Sequence, residues 1–243
     1  MDREYIENQF ARYTAGYDLT NPKIGVKIAH TLRVAQMADR IAQDIGADRD
    51  LAWLCGMLHD IGRFEQIKRY DTFVDAISVD HAKLSCELLF EDRLIRNFAP
   101  ESEQTKTLET AIRYHSFYRL PGGLTEEERL YSQILRDADK LDIFRAICET
   151  PLTELYGFSW NELREADISD AVKTCFENRT AVLKALWQTP ADIWVAHICL
   201  YFELVYPVSQ KIAHEQGYID RLLDLEFTNV NTREWFEKEK KMI

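Results

Sequence analysis

Glycine and proline are scarce in this chain: it has nine and six of them in 243 residues. A sandwich or barrel of short strands needs more turn residues than that, so the shortage, set beside long periodic stretches, favours helices. The five cysteines, Cys55, Cys86, Cys148, Cys175 and Cys199, are odd in number and contain no C-x-x-C pair, which argues against a disulfide framework and a zinc knuckle. Most lie among apolar neighbours, where a thiol behaves as a small core side chain in a reducing compartment. No apolar run is long enough to span a bilayer; the most apolar one, 195–207, contains His197 and Glu203. The opening MDREYIENQF has no apolar signal segment, so a cytoplasmic location and no membrane partner are the expectation. Positive charge is also short, 30 Lys and Arg against 41 Asp and Glu, for a net charge of −11. Such a surface repels a polyanion and argues against stable binding of long nucleic acid. A small phosphorylated ligand stays compatible with it, because a bound metal reverses the field within one pocket.

Hydrophobic residues make up 46% of the chain, enough to bury a core. A lead helix is expected over 2–17, and Asn21-Pro22 starts a long helix that Gly46 ends. Asp50 is the expected cap of the next helix, which runs through LAWLCGMLHD to Gly62. Residues 63–80 lack clear periodicity and read as an ordered loop. Further helices are expected from His81 to about Phe90, from Glu103 to His115, and after Thr125, with Thr125 and Glu128 as a capping box. Two more are expected over 160–187 and 190–216. No segment alternates like a strand, so the expected class is all-α. The expected organisation is a metal-binding helical domain over 20–150, preceded by the lead helix (1–19) and followed by a C-terminal helical region, 151–243, packed on that core. Trp187, Trp194, Tyr201, Phe202 and Tyr206 need a surface to pack on.

The strongest chemical feature is His59-Asp60 at the end of an apolar helix. Burying a bare carboxylate is costly, so the Asp needs a partner. A neutral imidazole beside a carboxylate is a ligand pair for a divalent metal. Taken alone, the dipeptide reads first as a hydrogen-bonded pair that caps its helix. His30 falls on a stripe with Val26, Val34, Met37 and Ile41, one helix earlier. A third element is Asp137-Ala138-Asp139-Lys140-Leu141-Asp142, whose carboxylates a helix spreads around its axis. These acids can also be a charged face paired with Arg136, Lys140 and Arg145, and periodicity leaves open which Asp points inward.

His30, then His59-Asp60, then an Asp in an A-D-K-L-D context resembles the H…HD…D signature of the HD-domain metal-dependent phosphohydrolases, over about residues 20–150. The resemblance implies an all-α bundle in which His30, His59, Asp60 and Asp139 hold a metal. Asp139 is preferred to Asp137 because it stands in the A-D-x-L string. His81 and His115 resemble, in order and approximate spacing, the additional histidines of two-metal members. The HHE…DGxGYP string of the HD-GYP phosphodiesterase branch is replaced here by YHSFYRLPGGL, which disfavours that branch. One or two divalent ions, Mn, Fe, Co, Ni or Zn, fit such a donor set. The implied activity is hydrolysis of a small phosphoester, a nucleotide or nucleotide-derived signal. Asp60 would bind metal and help accept a proton. Lys140 and Arg63 would neutralise phosphate oxygens, while Lys27 and Arg33 flank His30 by one turn. The alternatives are a non-catalytic helical module that binds a phosphorylated ligand, and a di-iron oxygenase on the same fold. Self-association into a homo-oligomer is not decided by the sequence.

Overall fold

The computed structural model describes residues 1–99 and 102–243, and their regular secondary structure is helical, with no strand among them. They form two compact units, Met1–Asp139 and Lys140–Ile243. The first unit holds α1 (Arg3–Thr14), α2 (Pro22–Ile45), α3 (Arg49–Leu58), α4 (Ile61–Tyr70), α5 (His81–Cys86), α6 (Thr105–Tyr114) and the residues of α7 (Glu126–Glu149) up to Asp139. A single 3₁₀ turn, Asp75–Ile77, stands between α4 and α5, and a π-helical turn, Glu87–Glu91, follows α5.

Local chemistry sets most of the helix ends. The Asn21 side chain accepts from the Lys23 amide, Pro22 occupies the first turn, and Gly46 closes α2 in the left-handed conformation at φ 73°. Asp48, rather than the expected Asp50, caps α3, accepting from the amides of Asp50 and Leu51. Thr125 and Glu128 exchange the expected pair of capping-box bonds, at 2.9 and 3.1 Å. The largest departure from the sequence-based expectation lies after Leu58. The helix does not run through to Gly62: it ends at Leu58, and α4 begins at Ile61 and covers residues 63–70 of what read as loop. The buried face of α4 carries Gly62 and Gln66 beside Ile61, Phe64 and Ile67. Those two residues masked its apolar period. Phe64 is covered by the rings of Phe10 and Tyr13 from α1, and the Tyr13 hydroxyl donates to the Ile61 carbonyl at 3.1 Å. The stripe on α2 also differs: Val26 is exposed, and the buried face is Ile24, His30, Thr31, Val34, Ala35, Ala38, Ile41 and Ala42.

Small residues let the helices of this unit come close. A Cβ on Gly56 would lie 2.5 Å from the Ala35 Cα, so α3 can lie against α2 at this distance only with glycine there. A Cβ on Gly62 would lie 2.6 Å from the Ser85 amide nitrogen and 2.7 Å from the His81 carbonyl. Instead the Gly62 amide donates to the Ser85 hydroxyl at 2.9 Å, tying α4 to α5. One glycine thus sets the approach of the helix that bears His30, and the other that of the helix that bears His81.

The second unit comprises the rest of α7, then α8 (Leu152–Leu155), α9 (Trp160–Glu165), α10 (Asp170–Glu177), α11 (Pro190–Ile198), α12 (Pro207–Gln216), α13 (Tyr218–Leu223) and α14 (Val230–Glu239). The two long helices expected here are broken into short ones. Ala166 is extended at ψ 146°, Arg179 is left-handed at φ 55°, and Tyr206, which precedes Pro207, is extended at ψ 137°. Buried Asp192 gathers the amides of Ser169, Gln188 and Thr189 at 2.8, 3.0 and 3.2 Å, satisfying donors that an unbroken helix would have used internally. The aromatic residues find partners within the unit: Trp194 packs on Trp160 and donates to the Leu222 carbonyl at 3.0 Å, and Phe176 meets Phe202 and Trp235. His197 is buried between the Ile193 carbonyl and the Tyr156 hydroxyl, and His214 pairs with Asp220 at the surface.

Gly56→Ala and Gly62→Ala should each destabilise the protein by about 1–3 kcal/mol, because the added methyl meets backbone that can move only with its helix. Gly25→Ala, at an exposed helical position where a Cβ meets nothing within 4 Å, should stabilise it by about 0.5–1 kcal/mol. Urea unfolding in the presence of a chelator checks all three signs.

Candidate metal centre

Helix ends bring the chemistry together. His59 is the residue at which α3 stops, and His115 stands in the same position on α6. His81 is the first residue of α5, with Asp80 as its cap. His30 and Asp139 come from within α2 and α7. Asp60 bridges α3 and α4 at φ −105° and makes no capping hydrogen bond with its side chain. Its carboxylate is therefore not engaged as a helix cap. It points into the space the histidines surround, between the C-terminus of one helix and the N-terminus of the next, and the latter favours its negative charge.

Asp60 lies at the middle of the group. Its Oδ2 is 2.6 Å from Lys27 Nζ, 3.4 Å from His59 Nε2 and 3.5 Å from His30 Nε2. Its Oδ1 lies 3.6 Å from His81 Nε2 and 3.9 Å from His115 Nε2. Asp139 Oδ1 is 3.2 Å from His30 Nε2 and 3.9 Å from His59 Nε2. Of the two acids that the sequence left open, Asp139 is thus the one beside the histidines; Asp137 is fully buried on the same helix. Two three-residue groups meet at Asp60: His30 with His59 and Asp60, and Asp60 with His81 and His115. Within each group one ligand atom per residue lies within 4.8 Å of the others.

The donor set fits a cation. Asp60 Oδ1 is buried and has no hydrogen-bond partner among the described residues, which is costly for a carboxylate oxygen left as it is. The ring nitrogens make the same point. His59 Nδ1 lies 2.8 Å from the Gly56 carbonyl, His115 Nδ1 2.7 Å from the Ile112 carbonyl, and His81 Nδ1 2.6 Å from Asp75 Oδ2. Each of these partners only accepts, so each Nδ1 carries a proton and each Nε2 faces inward, where it has a lone pair to give whenever the ring is neutral. His81 and His115 then face each other Nε2 to Nε2 at 3.0 Å. That contact is relieved only by a proton or a metal cation at the nitrogens.

The charges agree with this arrangement. Burial raises the Asp60 pKa, but Lys27 first and then His59 and His81 hold it well below the ordinary carboxylate value. His59 is pulled down by burial and lifted further by Asp60 and Asp139, so it ends above the usual imidazole value. His115, under burial and beside His81 and His59, is pushed down to about 3 and stays neutral. Asp139 is lowered by its bond to His30 in spite of burial.

Three cations complete the surroundings, and two of them read differently in sequence. Lys27, a flanking residue by sequence, holds Asp60 directly and has its ammonium 5.5 Å from the Phe73 ring centre. Arg63 turns Nη1 to Asp75 Oδ1, Gln66 Oε1 and the Phe73 carbonyl, each at 2.7 Å, and its Nε stands 3.8 Å from Asp60 Oδ1. Arg136, which in sequence stood only as an alternative ion-pair partner of the neighbouring acids, is only 9% exposed. Its guanidinium donates to the carbonyls of Tyr114 and His115 at 3.2 and 3.1 Å, to Tyr118 at 3.3 Å, and to Phe117. It clamps the chain just after His115. Its position one residue before the D-A-D string was the available signal. Lys140, next to Asp139 in the chain, is buried and belongs to the second unit.

In protein stripped with a chelator, Lys27→Met should cost on the order of 2–4 kcal/mol, because it leaves Asp60 buried without its ammonium partner. A divalent cation should restore most of that loss. Urea midpoints with chelator and with Mn²⁺ test it, and an unchanged midpoint in chelator contradicts it.

Residues 28–143 match the family model described as HD domain. The comparison with curated proteins and the comparison with solved structures give no match. The matched span contains His30, His59, Asp60, His81, His115 and Asp139. Members of this superfamily are in general hydrolases, and HD domains bind divalent metals, for which the His and Asp groups described above are suited. Residues 28–143 thus carry the HD-domain pattern, and that match supports membership of the HD-domain superfamily.

Proposed function

We propose that the protein is a metal-dependent phosphohydrolase acting on a small phosphoester, a nucleotide or nucleotide-derived signal. The observation that carries the proposal is the shared position of Asp60, one carboxylate common to two histidine groups, with one oxygen turned to each. His30, His59, Asp60 and Asp139 would hold one ion, and Asp60, His81 and His115 a second. When bound, divalent ions of this kind supply a Lewis acid and a water of lowered pKa.

The chain's own residues divide the remaining work. The inward Nε2 atoms of His59, His81 and His115 are preset by the bonds on their Nδ1 atoms, so no ring has to turn when a ligand arrives. Asp60, held ionised with one oxygen toward each histidine group, would hold the cations and orient a water at the site. Lys27, whose ammonium lies 2.6 Å from Asp60 Oδ2, would offer a charge to a phosphate oxygen in the same pocket. Burial around Asp60 strengthens each of these interactions.

Asp60→Asn keeps the volume of the side chain while removing its charge. The expected outcome is loss of metal on gel filtration and a fall of at least about 10³-fold in phosphate release, on the scale of losing a catalytic electrostatic group. The far-ultraviolet circular dichroism should be unchanged. The assay is phosphate release from a panel of nucleoside mono-, di- and triphosphates with Mn²⁺, Co²⁺, Ni²⁺, Fe²⁺ or Zn²⁺. A variant that keeps both its metal and its activity defeats the proposal, as does wild-type protein that takes up none of these ions.

A further inference from the structure

The three histidines whose outer nitrogen is accounted for do not solve the same problem in the same way. His59 and His115 each stand just past the end of a helix, where the carbonyl three residues back has no helical donor to accept from. Each spends its Nδ1 proton on that carbonyl, Gly56 for His59 and Ile112 for His115. His81 opens its helix instead, so no turn of its own helix precedes it to offer a carbonyl. Its Nδ1 is met by a carboxylate from outside the helix, Asp75 Oδ2 at 2.6 Å.

Asp75 is itself held in place. Its Oδ1 accepts from Arg63 Nη1 at 2.7 Å and from Gln66 Nε2 at 3.0 Å. Gln66 is fully buried on α4, and the same amide group donates to the Ser78 hydroxyl at 2.8 Å and the Val79 carbonyl at 2.9 Å. Arg63 and Gln66 are bonded to each other as well. The segment between α4 and α5 is therefore pinned from α4, and what it presents is one carboxylate oxygen to His81.

Resting on the metal reading above, we propose that Asp75 is a positioning residue for metal binding that acts through His81, with Arg63 and Gln66 as its supports. The Nδ1–H···Oδ2 bond fixes the tautomer that directs the His81 Nε2 lone pair toward Asp60 Oδ1 and His115 Nε2. A carboxylate on the outer nitrogen also makes Nε2 a stronger donor to metal, which a neutral backbone carbonyl does less well. His81 thus carries a charge-assisted bond where His59 and His115 carry neutral ones. The guanidinium of Arg63 is committed to this carboxylate, which gives Arg63 a role in building the site.

The test is a double-mutant cycle on the full chain, with Mn²⁺ alone as the probe and isothermal titration calorimetry as the readout. Asp75→Ala should weaken Mn²⁺ binding by about 10–100-fold at one class of site. Asp75→Asn, whose amide oxygen still accepts from Nδ1–H but carries no charge, should fall between it and wild type. In a His81→Ala background, Asp75→Ala should produce no further loss. Nitrogen-15 spectra of labelled histidine should show His81 moving toward the Nε2–H tautomer in Asp75→Ala without metal. Melts in chelator report whether each variant is folded, and Asp75→Asn carries the test if Asp75→Ala is not. Equal Mn²⁺ affinity in Asp75→Ala or, where that variant is unfolded, in Asp75→Asn overturns the proposal. So does an Asp75 effect of the same size with and without His81, which would mark Asp75 as acting independently of that ring. Failure of wild-type protein to take up Mn²⁺ or any other divalent ion would instead strike the metal reading itself, and the proposal with it.

Discussion

A buried carboxylate governs this protein. Asp60 is 2% exposed, and a charge so placed is tolerated only where opposite charge and hydrogen-bond donors surround it. The first unit supplies them from several directions at once: an ammonium from α2, imidazoles from α2 and from the ends of α3 and α6 and the start of α5, and the N-terminus of α4 beneath it. Removing any one of these elements would leave a charge in the interior with too few partners. The helical packing and the electrostatics of the site are for this reason one constraint seen from two sides.

The packing meets that constraint through close approach. Two inward-facing imidazoles on neighbouring helices meet within hydrogen-bond distance only if the backbones themselves come near, and Gly56 against Ala35 allows this for His59 and His30, which stand 3.3 Å apart at Nε2. Gly62 against His81 and Ser85 allows it for the second group. The ring orientations follow from where each histidine sits on its helix. A helix end offers a vacant carbonyl to a histidine that follows it, and a helix start offers none, so the His81 ring depends on Asp75 and on the Arg63–Gln66 pair behind it. A motif residue and its supporting bond are thus set by position along the helix as much as by residue type.

Much of this was legible in the sequence because it is carried by local chemistry. The all-α class followed from scarce Gly and Pro and from apolar period, and the capping of α2 and α7 from Asn21-Pro22 and Thr125 with Glu128. His30, His59, Asp60, Asp139, His81 and His115 were selected in sequence by their resemblance to a family pattern. The structure sets the four histidines around the Asp60 carboxylate, with Asp139 beside His30 and His59. Where local signals were absent or diluted, the sequence misled. α4 read as loop because its buried face is built partly from Gly62 and Gln66, residues whose burial makes sense only against Ser85, Ser78 and Asp75. The breaks after Glu165 and Glu177 read as helix because amides that follow them, those of Ser169 and Ala181, are met by the distant carboxylates of Asp192 and Glu203.

What the sequence by itself determined, then, is the helical class, several helix ends and the residue types able to hold a cation, since each depends on composition or on spacing within one turn or one cap. What only the tertiary structure decided is which of these groups face one another. Helical period could not separate Asp137 from Asp139, nor tell that Arg136 faces inward on the chain after His115, nor that Arg63 and Lys27 are bound to Asp75 and Asp60. A side chain's direction relative to another helix is fixed by how closely the two backbones approach, and that distance is a property of the packed interior and not of either segment alone.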